Sequence, residues 1–174
     1  KMDRQFWANH GNPAAFAGGV LAHAKGEAPP VHMECSTRAN LMRQILEALG
    51  YRTRTVAVFN SRSKLQSHSF LEVMNPETGK WETQDPDFEI YWRSKISGER
   101  ISLAEESLEA IEPCGGKTCG WEQASREGMR PAILRPYLDI VTVTEKASGT
   151  RYALYTSRAD LARAYSKDGK RGSF

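Results

Sequence analysis

The sequence predicts an α+β domain in which one amphipathic helix packs on an antiparallel β-sheet. Apolar residues recur at helical spacing over residues 35–50, which is typical of a helix with one buried face. β-branched and aromatic residues are frequent in three later runs, at 54–59, 67–74 and 80–85, and these runs predict strands. A turn rich in Pro, Asn and Gly separates the last two runs, so we expect them to form a β-hairpin.

Length and composition favour one globular domain of ordinary soluble type. A chain of 174 residues with 40% hydrophobic and 26% charged residues can bury a sizeable core. No run of about 18 apolar residues is present, so we expect no membrane span. The formal net charge of +3 is too small to predict a nucleic-acid partner. We expect a single domain over 1–174, with a core at 12–90 and a C-terminal extension at 91–174 that completes the sheet and a cleft.

The region before the main helix predicts a shorter helix. Asn12 is a suitable N-cap and Pro13 a suitable first helical residue, and we expect the helix to run to about Lys25. Gly26 is the expected stop signal. The adjacent glycines at 18–19 either weaken this helix or mark a close packing contact.

The main helix has a cysteine at its start. Ser36 or Thr37 can cap this end, and Gly50 suits the position after the helix, where positive φ is common. Cys35 therefore lies at the helix N-terminus, where unpaired N–H groups and the helix dipole favour an anion. Because the thiolate is the nucleophilic form of cysteine, Cys35 is the candidate nucleophile. The predicted buried face consists of Ala39, Met42, Ile45, Leu46 and Leu49.

The register of the hairpin predicts a partner for the histidine in its first strand. If Met74 pairs with Gly79, His68 lies directly opposite Asp85 and both side chains share one face. Directly opposed Cβ atoms are about 5 Å apart, close enough for a carboxylate to orient an imidazole. With the cysteine at the helix start, the two residues form a Cys-His-Asp set. His32, three residues before that cysteine, is the alternative base.

The order and spacing of these residues resemble the transglutaminase-like superfamily of papain-like cysteine enzymes. In that family a Cys opens a helix that ends in Ala-Leu-Gly, and a His follows in a strand, two residues before an aromatic and four before Glu-Val. A Gly-x-Trp turn and an Asp-Pro pair come next. The resemblance covers about a third of the chain. The matching residues here are Cys35, Ala48-Leu49-Gly50, His68, Phe70, Glu72-Val73, Gly79-Lys80-Trp81 and Asp85-Pro86.

The resemblance implies a papain-like fold and a hydrolase acting on an amide or peptide bond, as a protease or amidase with a protein or peptide substrate. Cys35 would attack the carbonyl, His68 would protonate the leaving amine, and Asp85 would orient His68. One alternative is a transamidase, in which an amine replaces water as acyl acceptor. Another is a non-catalytic binding domain that keeps the fold. No cofactor and no metal ion are implied.

Three further residues are candidates for oxyanion or substrate binding. In papain-like enzymes an upstream group often completes the oxyanion hole beside the backbone N–H of the nucleophile. Trp7 or Asn9 is the candidate here, with simple packing as the alternative role of the tryptophan. Trp92 belongs to an aromatic run after Asp85, which either lines a substrate groove or forms a core or edge strand.

A second pair of cysteines lies in the C-terminal half. Cys114 and Cys119 either close a small disulfide loop, remain free thiols, or form half of a metal site, although the sequence has no second Cys/His pair for zinc. A disulfide would indicate an oxidising compartment, periplasmic or extracellular, and would leave Cys35 as the unpaired cysteine. The chain begins at Lys1 rather than Met, so we expect a trimmed or mature form with a further domain or partner outside it.

The remaining elements complete the expected sheet. The capping-box sequence at 102–105 predicts a short helix that Pro113 ends. Runs at 138–143 and 151–155 predict two strands joined by a Lys-Ala-Ser-Gly turn. A last helix is expected over 157–165.

Overall fold

A large and a small antiparallel sheet, with three helices, make up the parts of the chain that the computed structural model describes, residues 14–59, 66–103, 110–126, 140–145 and 149–155. The predicted α+β class is confirmed. The helices are α1 (Ala14–Ala24), α2 (Cys35–Ala48) and α3 (Trp121–Arg126). The strands are β1 (Thr53–Phe59), β2 (Gln66–Met74), β3 (Trp81–Gln84), β4 (Tyr91–Ser94), β5 (Ile111–Gly115), β6 (Thr118–Cys119), β7 (Ile140–Glu145) and β8 (Thr150–Tyr155).

The large sheet has the strand order β3-β2-β1-β7-β8, and all of its neighbouring strands are antiparallel. Both predicted hairpins are present, β2–β3 at one edge and β7–β8 at the other. Helix α2 packs against β1 and β2, as the sequence predicts. The small sheet has the order β4-β5-β6. None of the helices within the described ranges is long and apolar enough to cross a bilayer.

The main hydrophobic core covers one face of β1 and β2. Val56 pairs with Phe70 across the two strands, and both side chains are fully buried. They cluster with Ile90 and Trp92, which follow β3 in the chain. Because strand residues alternate between faces, His68 lies on the same covered face as Phe70. His68, the histidine of the predicted Cys-His-Asp set, is therefore buried on the same side of the sheet as the main core.

Helix α2 begins at Cys35, with Glu34 in the N-cap position and no side-chain cap bond. The predicted caps, Ser36 and Thr37, are wrong, because both lie inside the first turn. The Glu34 carbonyl already accepts the N–H of Arg38 at 3.0 Å, so the helix starts one residue before Ser36 and two before Thr37. The placement of the cysteine at the helix start is confirmed.

The buried face of α2 differs from the predicted one. Ala39 is fully buried and Met42 and Leu46 are half-buried, but Ile45 is 52% and Leu49 69% exposed. The apolar pattern thus continues along the helix beyond the part that the sheet covers. The buried residues of α2 are Thr37, Ala39, Leu41 and Arg43.

The predicted helix stops are confirmed. Gly26 follows α1, and Gly50 follows α2 with φ +89°, a left-handed conformation that favours glycine. A Cβ on Gly19 would lie 2.7 Å from Val31 Cγ2, so this glycine permits a close contact between α1 and the linker before α2. The predicted cap of α1, residues 12–13, lies outside the described residues.

The predicted helix after residue 102 is wrong where the structure describes it. Residues 111–115 form strand β5, which pairs with β4, so Pro113 lies in a strand rather than ending a helix. Proline lacks an N–H, but its carbonyl accepts the N–H of Gly120 at 2.9 Å. Pairing with β4 therefore makes Ile111 part of a strand, where the sequence predicts the last turn of a helix. Residues 104–109 and the last predicted helix, 157–165, lie outside the described residues.

Candidate active site

The β2–β3 hairpin has a register two residues away from the predicted one. Met74 pairs with Trp81 rather than with Gly79, because the turn is two residues longer than expected. A shift of two residues leaves every side chain on its predicted face, whereas a shift of one would reverse all of them. His68 and Asp85 therefore share a face, although they are not directly opposite each other.

Asp85 lies in a tight turn that directly follows β3. Its backbone exchanges two hydrogen bonds with Ile90, of 2.8 and 3.2 Å. Its Oδ1 accepts the backbone N–H groups of Asp87 at 3.0 Å and Phe88 at 3.3 Å. Its Oδ2 lies 2.6 Å from His68 Nε2, and the residue is 2% exposed. The carboxylate is thus held by its own turn while it binds the imidazole.

His68 is buried between two aromatic rings. Its ring centroid lies 4.8 Å from that of Phe88 and 5.6 Å from that of Phe70. Besides the bond to Asp85, the imidazole lies close enough to the side chain of Cys35 for the interaction between the two groups to raise the pKa of His68. Because Nε2 binds the carboxylate, Nδ1 is the ring nitrogen left to face the sulfur. The imidazole is therefore fixed in position and in orientation.

The environment of His68 favours its charged form. Burial by itself lowers the pKa, because a desolvated imidazolium is unfavourable. The hydrogen-bonding and charge interactions with Asp85 and Cys35 outweigh burial and raise the pKa of His68 from 6.5 to about 9. At neutral pH the residue is therefore an imidazolium, the form that pairs with a thiolate.

Cys35 is the first residue of α2, and it is a free, half-buried cysteine. The first backbone N–H groups of a helix have no partner within the helix, so donors are available beside the sulfur. The structure thus brings Cys35, His68 and Asp85 together, in the order that the sequence predicts. This arrangement can generate a nucleophile, hold a proton on the imidazole, and place hydrogen-bond donors near a developing oxyanion.

Two other candidate residues, Trp92 and His32, do not join this set. Trp92 is fully buried and packs on Trp121, with ring centroids 5.2 Å apart, so it belongs to a core strand rather than to an open groove. Trp7 and Asn9 lie outside the described residues. The alternative base, His32, is exposed, and His68 is the histidine beside the cysteine.

Cys114 and Cys119 form a disulfide. The two residues pair directly across the β5–β6 hairpin, which places their side chains on one face. The disulfide alternative is therefore confirmed, and the free-thiol and metal alternatives are wrong for this pair. Within the described parts of the chain, no three His, Cys, Asp or Glu side chains are grouped so that they could hold a metal ion.

Sequence reasoning missed two residues next to the site. Arg38 follows Cys35 by three residues on α2, and its Nη1 lies 3.1 Å from Asp87 Oδ1. Asp87 belongs to the turn that holds Asp85. In the sequence they are only a charged residue soon after Cys35 and another soon after Asp85. Charged residues are so frequent that this position alone does not predict a contact.

Comparison with known proteins gives no family assignment. No protein-family model matches the sequence, and no curated protein matches it. The function must therefore be inferred from the geometry of the site.

Proposed function

We propose that this protein is a cysteine hydrolase that cleaves an amide or peptide bond in a protein or peptide substrate. The observation that supports this is the continuous set of contacts from Cys35 through His68 to Asp85. A cysteine with a purely structural role needs neither a histidine partner nor a carboxylate behind that histidine. The same set is the basis of the resemblance to transglutaminase-like enzymes, and we propose a papain-like fold on that ground.

The first half of the reaction forms an acyl-enzyme. With the proton of the thiol held on His68, the Cys35 thiolate attacks the carbonyl carbon of the substrate. Backbone N–H groups at the start of α2 stabilise the oxyanion. His68 Nδ1 then donates its proton to the amine as the C–N bond breaks, which leaves a thioester on Cys35. Asp85 holds the imidazole in orientation throughout.

The second half releases the acid. Neutral His68 removes a proton from a water molecule as its oxygen attacks the thioester carbon. The C–S bond breaks, the acid leaves, and the thiolate–imidazolium pair is restored. An amine that attacks in place of water would give transamidation through the same acyl-enzyme. Hydrolysis and transamidation thus differ only in the acceptor.

The disulfide bears on where the enzyme works. Disulfides persist in oxidising compartments and are rare where glutathione and thioredoxin keep thiols reduced. The Cys114–Cys119 bridge therefore supports a periplasmic or extracellular location, which is part of this proposal.

The decisive test is alkylation of Cys35 by iodoacetamide, followed by mass spectrometry across about pH 4 to 9. A thiolate–imidazolium pair is expected to react rapidly near pH 6, well below the pKa of an ordinary thiol at about 8.5. His68→Ala should slow this reaction at least about tenfold, because removing the imidazolium removes its stabilisation of the thiolate. His32→Ala, which changes an exposed histidine near the same cysteine, is the matched control and should react like the wild type.

The substrate test follows on the same proteins. A mixture of peptides with and without an added primary amine is incubated with wild type and Cys35→Ala, and products are identified by mass spectrometry. Cleavage or amine incorporation that is lost in Cys35→Ala would establish the acyl-enzyme and show which acceptor is used.

Equal alkylation of Cys35 in wild type and His68→Ala would contradict the proposal and favour the binding-domain alternative.

A further inference from the structure

A second contact joins α2 to the turn that carries Asp85. Arg38 lies about one helical turn after Cys35, and its guanidinium pairs with the Asp87 carboxylate at 3.1 Å. The backbone N–H of Asp87 in turn donates to Asp85 Oδ1 at 3.0 Å. Helix α2 therefore reaches Asp85 by two routes, one through His68 and one through Asp87.

Together the two routes form a closed ring of contacts. The ring closes because Cys35 and Arg38 are three residues apart on α2, a spacing that places them on neighbouring parts of the helix surface. The contact at Arg38 therefore adds a second restraint on the start of α2, one helical turn from the first. The ring runs through Cys35, His68, Asp85, Asp87 and Arg38.

We propose that Arg38 and Asp87 are positioning residues, and that their ion pair, the Arg38–Asp87 clamp, holds the start of α2 against the Asp85 turn. The clamp keeps the Cys35 sulfur within hydrogen-bond reach of His68. This inference rests on the proposed function, because the reactivity of Cys35 is the property that the clamp controls.

The partial exposure of the pair indicates that its role is geometric rather than a contribution to stability. The side chains of Arg38 and Asp87 are 36% and 24% exposed, and ion pairs of this kind contribute little to the free energy of unfolding. Nevertheless Arg38 Nε is buried and has no hydrogen-bond partner among the described residues.

The test measures alkylation of Cys35 in Asp87→Asn and in Arg38→Gln. Asparagine keeps the size of the side chain and the backbone N–H that binds Asp85, so the first variant removes little besides the ion pair. We expect the rate near pH 6 to fall on the order of tenfold, since small displacements of a reacting group have effects of this size or larger. The alkylation profile should also move toward the higher pH at which an ordinary thiol reacts, a change that loss of stability alone would not produce.

Two further variants make the comparison sharp. Arg38→Lys keeps the charge, and because the observed contact uses one nitrogen of the guanidinium, this variant should retain most of the wild-type rate. Arg52→Gln is the matched control, since it removes another arginine–carboxylate pair, at 2.7 Å, between the residue before β1 and Glu145 at the end of β7. It should leave alkylation of Cys35 unchanged.

The possible results test the clamp proposal and the proposed function separately. If Asp87→Asn and Arg38→Gln react like wild type while His68→Ala is slow, the clamp is wrong and the Cys-His-Asp set stands. If wild type reacts no faster than His68→Ala, both proposals are overturned. If the two clamp variants lower the thermal unfolding temperature without moving the pH profile, the pair is structural and the clamp is again wrong.

Discussion

His68 and Glu72 lie four residues apart on the same face of β2, and each is buried against a group of opposite charge. His68 binds Asp85, whereas Glu72 binds Arg54 on β1. None of these four side chains is more than 6% exposed. Burial of an ion pair therefore does not by itself distinguish a candidate active site from a structural contact.

The polar side-chain atoms of Glu72 and Arg54 form hydrogen bonds with each other and with neighbouring residues. Glu72 Oε2 accepts from Arg54 Nε at 2.6 Å, and Glu72 Oε1 accepts the Leu103 N–H at 2.9 Å. Arg54 Nη2 donates to Ser102 Oγ at 2.9 Å. These bonds tie β1 and β2 to Ser102 and Leu103, and both carboxylate oxygens of Glu72 are engaged. This pair stabilises the fold and leaves no nucleophile.

The His68–Asp85 pair differs because its outward partner is a reactive group. One side of the imidazole is fixed by a buried carboxylate, and the other faces a half-buried thiol at a helix start. The candidate active site therefore differs from the structural pair in having a free thiol at the end of its chain of contacts. Three variants or conditions test this difference, beginning with the largest expected effect.

Asp85→Asn should disable the reaction while preserving the fold. Asparagine can still accept the turn N–H groups through its carbonyl oxygen, but its amide would donate to His68 Nε2. The neutral imidazole would then carry its proton on Nδ1, facing the thiol, and could not accept the proton of Cys35. We expect kcat on a cleaved peptide to fall on the order of 10³- to 10⁴-fold with little change in thermal unfolding. Retention of kcat in a folded variant would exclude the proposed role of Asp85.

Glu72→Gln, in contrast to Asp85→Asn, should lower the stability of the fold and leave the reactivity of Cys35 unchanged. It leaves the buried Arg54 charge without its carboxylate, and breaking a buried pair in this way lowers the free energy of unfolding by about 3–5 kcal/mol. Urea denaturation measures this loss, and alkylation of Cys35 below the transition should match wild type. Glu99→Gln removes an exposed pair with Lys80 and is the control, with no measurable change expected. A large loss of Cys35 reactivity in Glu72→Gln would erase the distinction between the two pairs.

The smallest effect is the response of stability to pH. The pKa of His68 is raised to about 9, so the stabilisation is complete below about pH 6.5 and is lost as pH rises through 9. Relative to His68→Gln, the free energy of unfolding of wild type should fall as the pH rises through 9, because the unfolded chain has already released the proton that native His68 still holds. Glu72→Gln keeps His68 and should lose the same amount. A difference between wild type and His68→Gln that does not vary with pH would contradict the imidazolium assignment.

The hairpin shows how far local patterns predict the site. Strand alternation correctly predicts that His68 and Asp85 share a face, because side-chain direction depends only on the period of two. The exact register of β2 and β3 is not predicted, because the turn is six residues long. Asn75 Oδ1 stabilises this longer turn by accepting the N–H groups of Glu77 and Thr78. The pairing of His68 with Asp85 survives this error because the shift is even.

In helix α2, too, some features follow from the local sequence and others depend on tertiary packing. Its stop at Gly50 follows from local chemistry, since a glycine at positive φ ends the helix, whereas its start at Cys35 has no side-chain cap. Which of its apolar residues are buried depends on how far the sheet extends beneath it, so Ile45 and Leu49 are exposed despite a suitable pattern. Likewise β5 is a strand because β4 lies beside it, although the local sequence favours a helix.

The sequence by itself determined the residue types of the candidate site, their order, the faces of the strands and the ends of α2, because these depend on neighbours in the chain. Only the tertiary structure decided that the Cys35 sulfur meets His68, that Asp85 is held by its own turn, and that Arg38 reaches Asp87. These contacts join segments up to about fifty residues apart, and their distances follow from the packing of α2 on the sheet rather than from local propensity.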